Sequence, residues 1–222
     1  MRPLIFPDRT EAGAALAQSL LARRLVPPVI VLALPRGGVP VAYEVARTLG
    51  APLDVMLVRK IGVPGQPELA MGAIASGGIV VHEAEVERSF PGLAAAFDQR
   101  AAAERRELER RERVYRDGLP PLDLTGKTAV LVDDGLATGA TMLAALRAAR
   151  QAGAGPVIVA APVASSQAAA LVRAEADATV LLQTPPALFA IGAWYQDFEQ
   201  LDDAQVCRLL ERRRQEMAPQ GP

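Results

Sequence analysis

The sequence has few of the residues on which many common sites depend. It contains one cysteine, Cys207, and one histidine, His82. A single thiol excludes an internal disulfide and a multi-cysteine zinc site, and a single imidazole leaves little material for a histidine metal centre or a Ser-His-Asp triad. We therefore interpret Cys207 as a small apolar filler of an amphipathic helix and assign no catalytic role to His82.

Long apolar runs and excess charge are also missing. No apolar stretch free of charges and prolines is long enough to span a membrane, and residues 1–10 lack a signal-peptide core. We therefore expect a cytoplasmic protein without a membrane partner. The formal net charge of −1 provides no basic field for nucleic acid. The P-loop pattern Gly-x-x-x-x-Gly-Lys-Ser/Thr is absent, which disfavours a P-loop kinase or nucleotidase.

The remaining composition suits one folded domain over residues 1–222, since half of the residues are hydrophobic. Apolar strand patterns alternate with helical patterns, which predicts a mostly parallel sheet with right-handed crossovers. The predicted strands are 29–34, 53–58, 128–132, 157–161 and 179–182, and the predicted helices are 9–25, 39–49, 139–152, 165–175 and 202–216. The Gly- and Pro-rich residues 59–78 predict a long loop with room for a short hairpin over 68–74 and 78–82.

Residues 83–118 form a segment of different character, rich in Ala, Glu and Arg. The pattern predicts a helix over about 93–116, inserted into the strand–helix alternation. Its mixed charges are typical of a solvated helix face. A contact between subunits of a homodimer is the alternative interpretation.

The most informative motif lies at residues 129–141, where an apolar strand ends on Asp133 and Asp134. A small-residue loop follows and opens a helix: Ala137, Thr138, Gly139, Ala140 and Thr141. Acids at the carboxyl end of a strand lie where open α/β sheets bind ligands. Backbone amides and hydroxyls at a helix N-terminus suit a phosphate group.

Two further segments carry charges that could hold an anion. Arg36, Gly37 and Gly38 follow the first strand and open a helix; the glycines allow close backbone approach and Arg36 offers a fork of donors. Taken alone, this pattern is also typical of a plain turn. Arg59 and Lys60 begin the 59–78 segment, where the alternative is a solvated pair of side chains.

The run 129–141 resembles the 5-phosphoribosyl 1-pyrophosphate (PRPP) signature of the type I phosphoribosyltransferases. The resemblance spans most of residues 29–183 and implies their α/β fold, a doubly wound, mostly parallel sheet with a small hood beside it. The helical insert and the hood are more like those of small predicted phosphoribosyltransferases of bacteria. The resemblance implies transfer of the phosphoribosyl group to a nitrogenous base or similar small-molecule acceptor, with release of pyrophosphate and a requirement for Mg²⁺.

The resemblance also implies the roles of the motif residues. Asp133 and Asp134 would hold the ribose hydroxyls, and these two acids are the candidates for any direct metal contact. Residues 137–141 would bind the 5′-phosphate. The pyrophosphate would contact Arg36, Gly37, Gly38, Arg59 and Lys60, with Lys60 on a mobile loop that closes during the reaction. Asp133, Asp134, Lys60 and Arg36 are thus the candidate catalytic residues. Family members often hold a non-proline cis peptide in the pyrophosphate loop.

The candidate hood comprises residues 184–222 with residues 1–10. It contains the aromatic residues Trp194, Tyr195 and Phe198, whose rings could stack on an acceptor base. An equally favoured interpretation is a small hydrophobic cluster that anchors the last helix.

The sequence departs from the hypoxanthine–guanine enzymes at Ala137, where those enzymes carry an aspartate that handles a proton near the purine. This argues against 6-oxopurine salvage and leaves the acceptor open. A second hypothesis is a regulatory protein that senses PRPP or nucleotides without turnover. The complete signature and Lys60 favour the enzyme, because the PRPP run or the lid is often degraded in such regulators.

Overall fold

A computed structural model of the chain describes residues 5–83, 86, 93–116 and 118–218. The strands are β1 (Val29–Ala33), β2 (Leu53–Val55), β3 (Val58–Val63), β4 (Gln66–Ala75), β5 (Ile79–His82), β6 (Thr128–Val132), β7 (Val157–Val163) and β8 (Ala178–Gln183). The α-helices are α1 (Arg9–Leu21), α2 (Gly38–Leu49), α3 (Leu93–Arg116), α4 (Ala140–Gln151), α5 (Ser166–Glu175) and α6 (Asp203–Met217).

The core of the molecule is a five-stranded sheet in the order β2-β1-β6-β7-β8, and every paired strand in it is parallel. All residues of β6 and β7 are buried, as expected when helices cover both faces of a parallel sheet. Val130 and Val132 pack on the face that carries α1 and α2, whereas Ala129 and Leu131 pack on the face that carries α4 and α5. The predicted doubly wound α/β fold is therefore confirmed.

The prediction of a long loop over residues 59–78 is wrong, whereas the short hairpin expected over 68–74 and 78–82 is confirmed as β4 paired with β5. Strands β3, β4 and β5 form a separate antiparallel sheet, and the predicted strand 53–58 is divided between β2 and β3. Two glycines, Gly62 and Gly72, have structural roles within this sheet. The β3–β4 register shifts on both sides of Gly62, and a Cβ at Gly72 would lie 2.4 Å from the Val81 carbonyl oxygen. Here glycine marks a bulge and a close approach.

The helix predicted over 93–116 is confirmed, although residues 84–85, 87–92 and 117 of the predicted insert lie outside the described residues. One stripe of α3 is buried, at Phe97, Ala101, Leu108 and Tyr115, and its opposite face carries charged pairs such as Glu107 with Arg110. The helix is thus amphipathic, and its apolar stripe joins the core cluster that includes residues of β3 and α6. In the described part of the chain, no helix has the length and apolar character needed to cross a membrane.

Candidate active site

The predicted acids Asp133 and Asp134 lie at the carboxyl end of β6, in the middle of the parallel sheet. The backbone amide of Asp134 donates to Asp133 Oδ1 at 2.9 Å. Arg9 Nε donates to Asp134 Oδ2 at 2.8 Å, and these two side chains keep only 11% and 13% of their surface exposed. The strand thus delivers two adjacent carboxyl groups into a mostly enclosed position with one guanidinium group beside them.

The electrostatics of this pair are unfavourable for two full negative charges. Burial raises the pKa of Asp133 well above its usual range, and the neighbouring Asp134 raises it further. Burial also raises the pKa of Asp134, while the ion pair with Arg9 opposes that rise. Close carboxyl groups in a low-dielectric site disfavour double ionisation. The site therefore favours the approach of a further cation or of hydrogen-bond donors such as hydroxyl groups.

The predicted phosphate loop surrounds a cavity of about 180 Å³. Its lining includes Asp133, Ala137, Thr138, Gly139 and Thr141. Gly139 precedes the first residue of α4 and has a φ of 77°, a conformation that glycine adopts readily. The N-cap residue Gly139 has no side chain to cap this helix, and the Thr138 hydroxyl oxygen accepts from the Ala140 amide only at 3.4 Å, so this helix end can offer amides to an anion.

The second loop lies directly against these acids. A Cβ at Gly37 would lie 2.1 Å from Asp134 Oδ2, and one at Gly38 would lie 2.7 Å from the Val132 carbonyl oxygen. Only glycine permits this approach. The Pro35–Arg36 peptide bond is cis. Arg36 extends toward the start of α6, where its Nη1 lies 3.8 Å from Asp203 Oδ1.

Arg59 and Lys60 occupy consecutive positions on β3, so they do not begin a loop as expected. Arg59 Nε donates to Glu104 Oε2 of α3 at 2.6 Å. Arg59 also lines a small cavity together with Pro35 and Thr141, which joins it to both ligand loops. Adjacent strand residues point to opposite faces, and the exposed Lys60 is not part of this lining. The structure thus brings Arg59 to the loops and leaves Lys60 outside them.

The proposed hood aromatics have different surroundings. Tyr195 is 6% exposed, its ring contacts those of Phe6 and Phe198, and its hydroxyl donates to the Asp134 carbonyl oxygen at 2.6 Å. The Arg9 guanidinium group lies 3.8 Å from the centre of the Phe198 ring. Tyr195 is therefore too buried to stack on an acceptor base. One face of the Phe198 ring is already occupied by the Arg9 guanidinium group.

Trp194 differs from these two residues because it borders open space. It lines an apolar cavity of about 200 Å³ together with Ile5, Ala187, Phe189 and Ala193. Among the three hood candidates, Trp194 is the one whose surroundings leave room for a flat apolar ligand.

Sequence reasoning placed Arg9 only inside a possible hood and gave it no role. Its partner Asp134 is 125 positions away, and no local motif signals a pair at that separation. The same holds for Tyr115, whose hydroxyl donates to Asp203 Oδ1 at 2.5 Å and so joins α3 to the residue that faces Arg36. The sequence offers one signal for this contact: Tyr115 places a hydroxyl group on the otherwise apolar stripe of α3.

Comparison with known proteins gives consistent results. The profile of the family described as "Phosphoribosyl transferase domain" matches residues 8–194. Proteins named "Putative phosphoribosyl transferase" from two strains of Mycobacterium tuberculosis are 46% identical over 217 residues, which is 98% of this chain and 49% of theirs. The chain thus spans about half the length of these curated relatives.

A crystal structure of another protein has the same fold over nearly the whole chain. The crystal structure of the protein TT1426 from Thermus thermophilus superposes with a TM-score of 0.87 at 44% sequence identity. The match covers 94% of this chain and 98% of that one. The fold and nearly the whole described chain are therefore shared with a protein of similar length.

Proposed function

Because the chain belongs to the phosphoribosyl transferase domain family, we propose that it transfers the 5-phosphoribosyl group of PRPP to a nitrogenous base or similar acceptor. The observation that carries the proposal is the contact between two loops. Gly37 lies so close to Asp134 that a Cβ would clash, so a pyrophosphate on one loop and a ribose on the acids would be neighbours. The phosphate cavity at residues 137–141 then accommodates the other end of the donor.

The reaction exchanges two bonds at C1 of the ribose. The acceptor nitrogen forms a bond to C1, the C1–oxygen bond breaks with its electron pair leaving on pyrophosphate, and the nitrogen loses a proton. Positive charge that develops on the sugar is stabilised by the carboxylates of Asp133 and Asp134. The protein contributes mainly by positioning and by placing charges in advance. Arg36, which adjoins Gly37, and Arg59, which lines a cavity with Pro35 and Thr141, would contact the departing phosphates in this proposal.

The family implies Mg²⁺, and the residues present fit it. Two adjacent carboxyl groups supply the hard oxygen ligands that Mg²⁺ prefers, and the ion commonly takes one or two carboxylates plus phosphate oxygens of the substrate. The described residues hold no cluster of three or more such ligands. We propose that Asp133 and Asp134 hold the ion together with the donor. When bound, Mg²⁺ neutralises charge on the pyrophosphate.

The acceptor side of the site offers fewer defined contacts than the donor side. Ala137 supplies no carboxylate near the acceptor, so a 6-oxopurine would lack the usual proton-handling group. Trp194 and its apolar cavity are the candidate contact for a flat base. A cytoplasmic location and a homodimer belong to the same proposal, and light scattering tests the homodimer.

The proposal is tested by mixing the protein with PRPP, Mg²⁺ and a panel of nitrogenous bases and measuring pyrophosphate release. We expect release with at least one base, and no release from the double variant Asp133→Asn with Asp134→Asn. Circular dichroism should show that the double variant is folded, because the amides keep the size of the carboxyl groups. Failure of the wild type to bind PRPP would overturn the assignment.

The same measurements distinguish the regulatory alternative. PRPP binding by calorimetry without pyrophosphate release on any base would indicate a sensor that uses the same site. Equal PRPP affinity in the wild type and the double variant would remove the two acids from the donor site.

A further inference from the structure

The Arg9 side chain makes several specific contacts at and beside the acids, with Asp134, Glu199 and Phe198. Its Nε donates to Asp134 Oδ2 at 2.8 Å, and its Nη1 donates to the Glu199 carbonyl oxygen at 2.9 Å. Its guanidinium Cζ lies 3.8 Å from the centre of the Phe198 ring. Two hydrogen bonds and one cation–π contact restrict the orientation of this planar group.

The position of Arg9 is itself fixed by the fold. It is the first residue of α1, whose N-cap Asp8 accepts from the Glu11 amide at 2.9 Å. The preceding residues are joined to the C-terminal part of the chain, since the Gln196 amide donates to the Phe6 carbonyl oxygen at 2.8 Å. Both the backbone and the side chain of Arg9 are therefore held, which suits a group that must hold something else in place.

Arg9 is also the cation available to the buried acids. Among the described residues it forms the ion pair of Asp134, and Asp133 has no ion pair of its own. Arg9 engages Oδ2 and approaches from the α1 side, while Gly37 lies against the same carboxylate from the pyrophosphate loop. The carboxylate of Asp134 is thus confined between two neighbours and cannot rotate freely.

We infer that Arg9 is a positioning residue that holds Asp134 in the orientation needed for the ribose hydroxyls of the donor. Arg9 itself touches no part of the donor in this scheme; it acts through Asp134. Its contacts with Glu199 and Phe198 link the donor acids to the aromatic cluster of Phe6, Tyr195 and Phe198. The inference rests on the proposed function, because it assumes that Asp134 binds the ribose.

Two ligands separate this role from general support of the fold. PRPP requires the acids, whereas inorganic phosphate needs only the amides and hydroxyls of residues 137–141. Titration calorimetry with PRPP plus Mg²⁺, and separately with inorganic phosphate, is therefore carried out on the wild type, Arg9→Ala, Arg9→Lys and a control. The control is Arg150→Ala, which removes an exposed pair with Asp177 at the far end of α4.

We expect Arg9→Ala to weaken PRPP binding by about tenfold or more, since a charge-assisted hydrogen bond to a buried carboxylate is lost. Phosphate binding should stay within about twofold, and Arg150→Ala should match the wild type. Arg9→Lys should restore part of the affinity, because lysine keeps the charge but cannot bond Asp134 and Glu199 while stacking on Phe198.

The outcomes that overturn the inference differ from those that overturn the proposed function. No PRPP binding by the wild type rejects the function itself. PRPP binding by the wild type with unchanged affinity in Arg9→Ala rejects the role of Arg9. An equal loss of PRPP and phosphate affinity shows that Arg9 only supports the fold. If Arg9→Ala does not fold, Arg9→Lys decides: wild-type PRPP affinity rejects the role, and a selective PRPP loss supports it.

Discussion

At the scale of single residues, the site depends on places where the backbone must come very close to a carboxylate. Gly37 is the sharpest case, because its φ of −60° and ψ of −36° suit any residue. Space alone therefore requires glycine there, since a Cβ would lie 2.1 Å from Asp134 Oδ2. The substitution Gly37→Ala tests this contact without a change in backbone preference.

We expect Gly37→Ala to lower PRPP affinity by about tenfold or more, because either the loop or Asp134 must move. Titration calorimetry with PRPP and Mg²⁺ measures the change. Gly155→Ala is the matched control: its Cβ would meet its nearest neighbour, the Lys127 carbonyl oxygen, at 3.4 Å, an ordinary contact. Equal PRPP affinity in both variants and the wild type would separate Gly37 from the donor site.

The sequence reveals some of these residues and hides others for a physical reason. Asp133, Thr138 and Gly139 lie in one continuous run whose chemistry is local, so their proximity follows from the strand–loop–helix pattern alone. The Arg9–Asp134 pair forms across 125 positions, and any of the other arginines could have filled that place. Which arginine pairs with Asp134 depends on how the helices pack on the sheet. This packing cannot be inferred from the types of the individual residues.

At the scale of elements, α3 joins the second sheet to the end of the chain. Its buried residues face β3 and α6, while residues such as Val114 are exposed. Leu108 is 2% exposed and also lines the small cavity that Arg59, Pro35 and Thr141 share. The packing of this helix therefore affects both stability and the neighbourhood of the ligand loops.

We expect Leu108→Ala to lower the free energy of unfolding by about 2–5 kcal/mol, because it leaves a cavity in a packed core. The control Val114→Ala, on the exposed face of the same helix, should change it by about 0.5 kcal/mol or less. Urea unfolding followed by circular dichroism gives both values. Similar losses in the two variants would mean that α3 is not seated as described.

The elements of the parallel sheet could be predicted more fully than those of the second sheet. Residues such as Val130 and Leu131 lie in continuous apolar runs, which identify strands covered on both faces. In β3 and β4, by contrast, Gly62 and Gly72 interrupt the apolar pattern and resemble loop residues. Gly62 lies at a shift in the β3–β4 register, and at Gly72 the Val81 carbonyl oxygen of β5 and Phe97 of α3 fill the space that a Cβ would need, so the role of both glycines is visible only after folding.

At the scale of the whole molecule, Asp134 is held by residues from the N-terminal and the C-terminal parts of the described chain. Arg9 reaches Asp134 from the N-terminal side, and the Tyr195 hydroxyl reaches its carbonyl oxygen from the C-terminal side. The two ends are also joined to each other, since the Phe6 amide donates to the Trp194 carbonyl oxygen at 2.9 Å. Ligand binding at the acids should therefore reduce local opening in both of these segments.

We expect PRPP with Mg²⁺ to slow amide hydrogen exchange in residues 137–141 and also in 6–9 and 195–199. The physical reason is that a ligand bound only to the native state suppresses local opening of the segments that support its site. Residues 119–127, which precede β6 at the end opposite the acids, serve as the internal control and should exchange at an unchanged rate. Protection limited to 137–141 would show that the ends are not coupled to the donor site.

The joining of the two ends also sets an order of events when the chain is synthesised. Strand β6 and its two acids emerge from the ribosome about sixty residues before Tyr195 and Glu199. Until those residues appear, Arg9 lacks its carbonyl and ring partners, and the Asp134 carbonyl oxygen lacks the tyrosine hydroxyl. A chain that stops short of residue 195 therefore contains the full signature of the site without the supports of Asp134, and we expect it to bind the donor more weakly than a chain that includes residues 195–199.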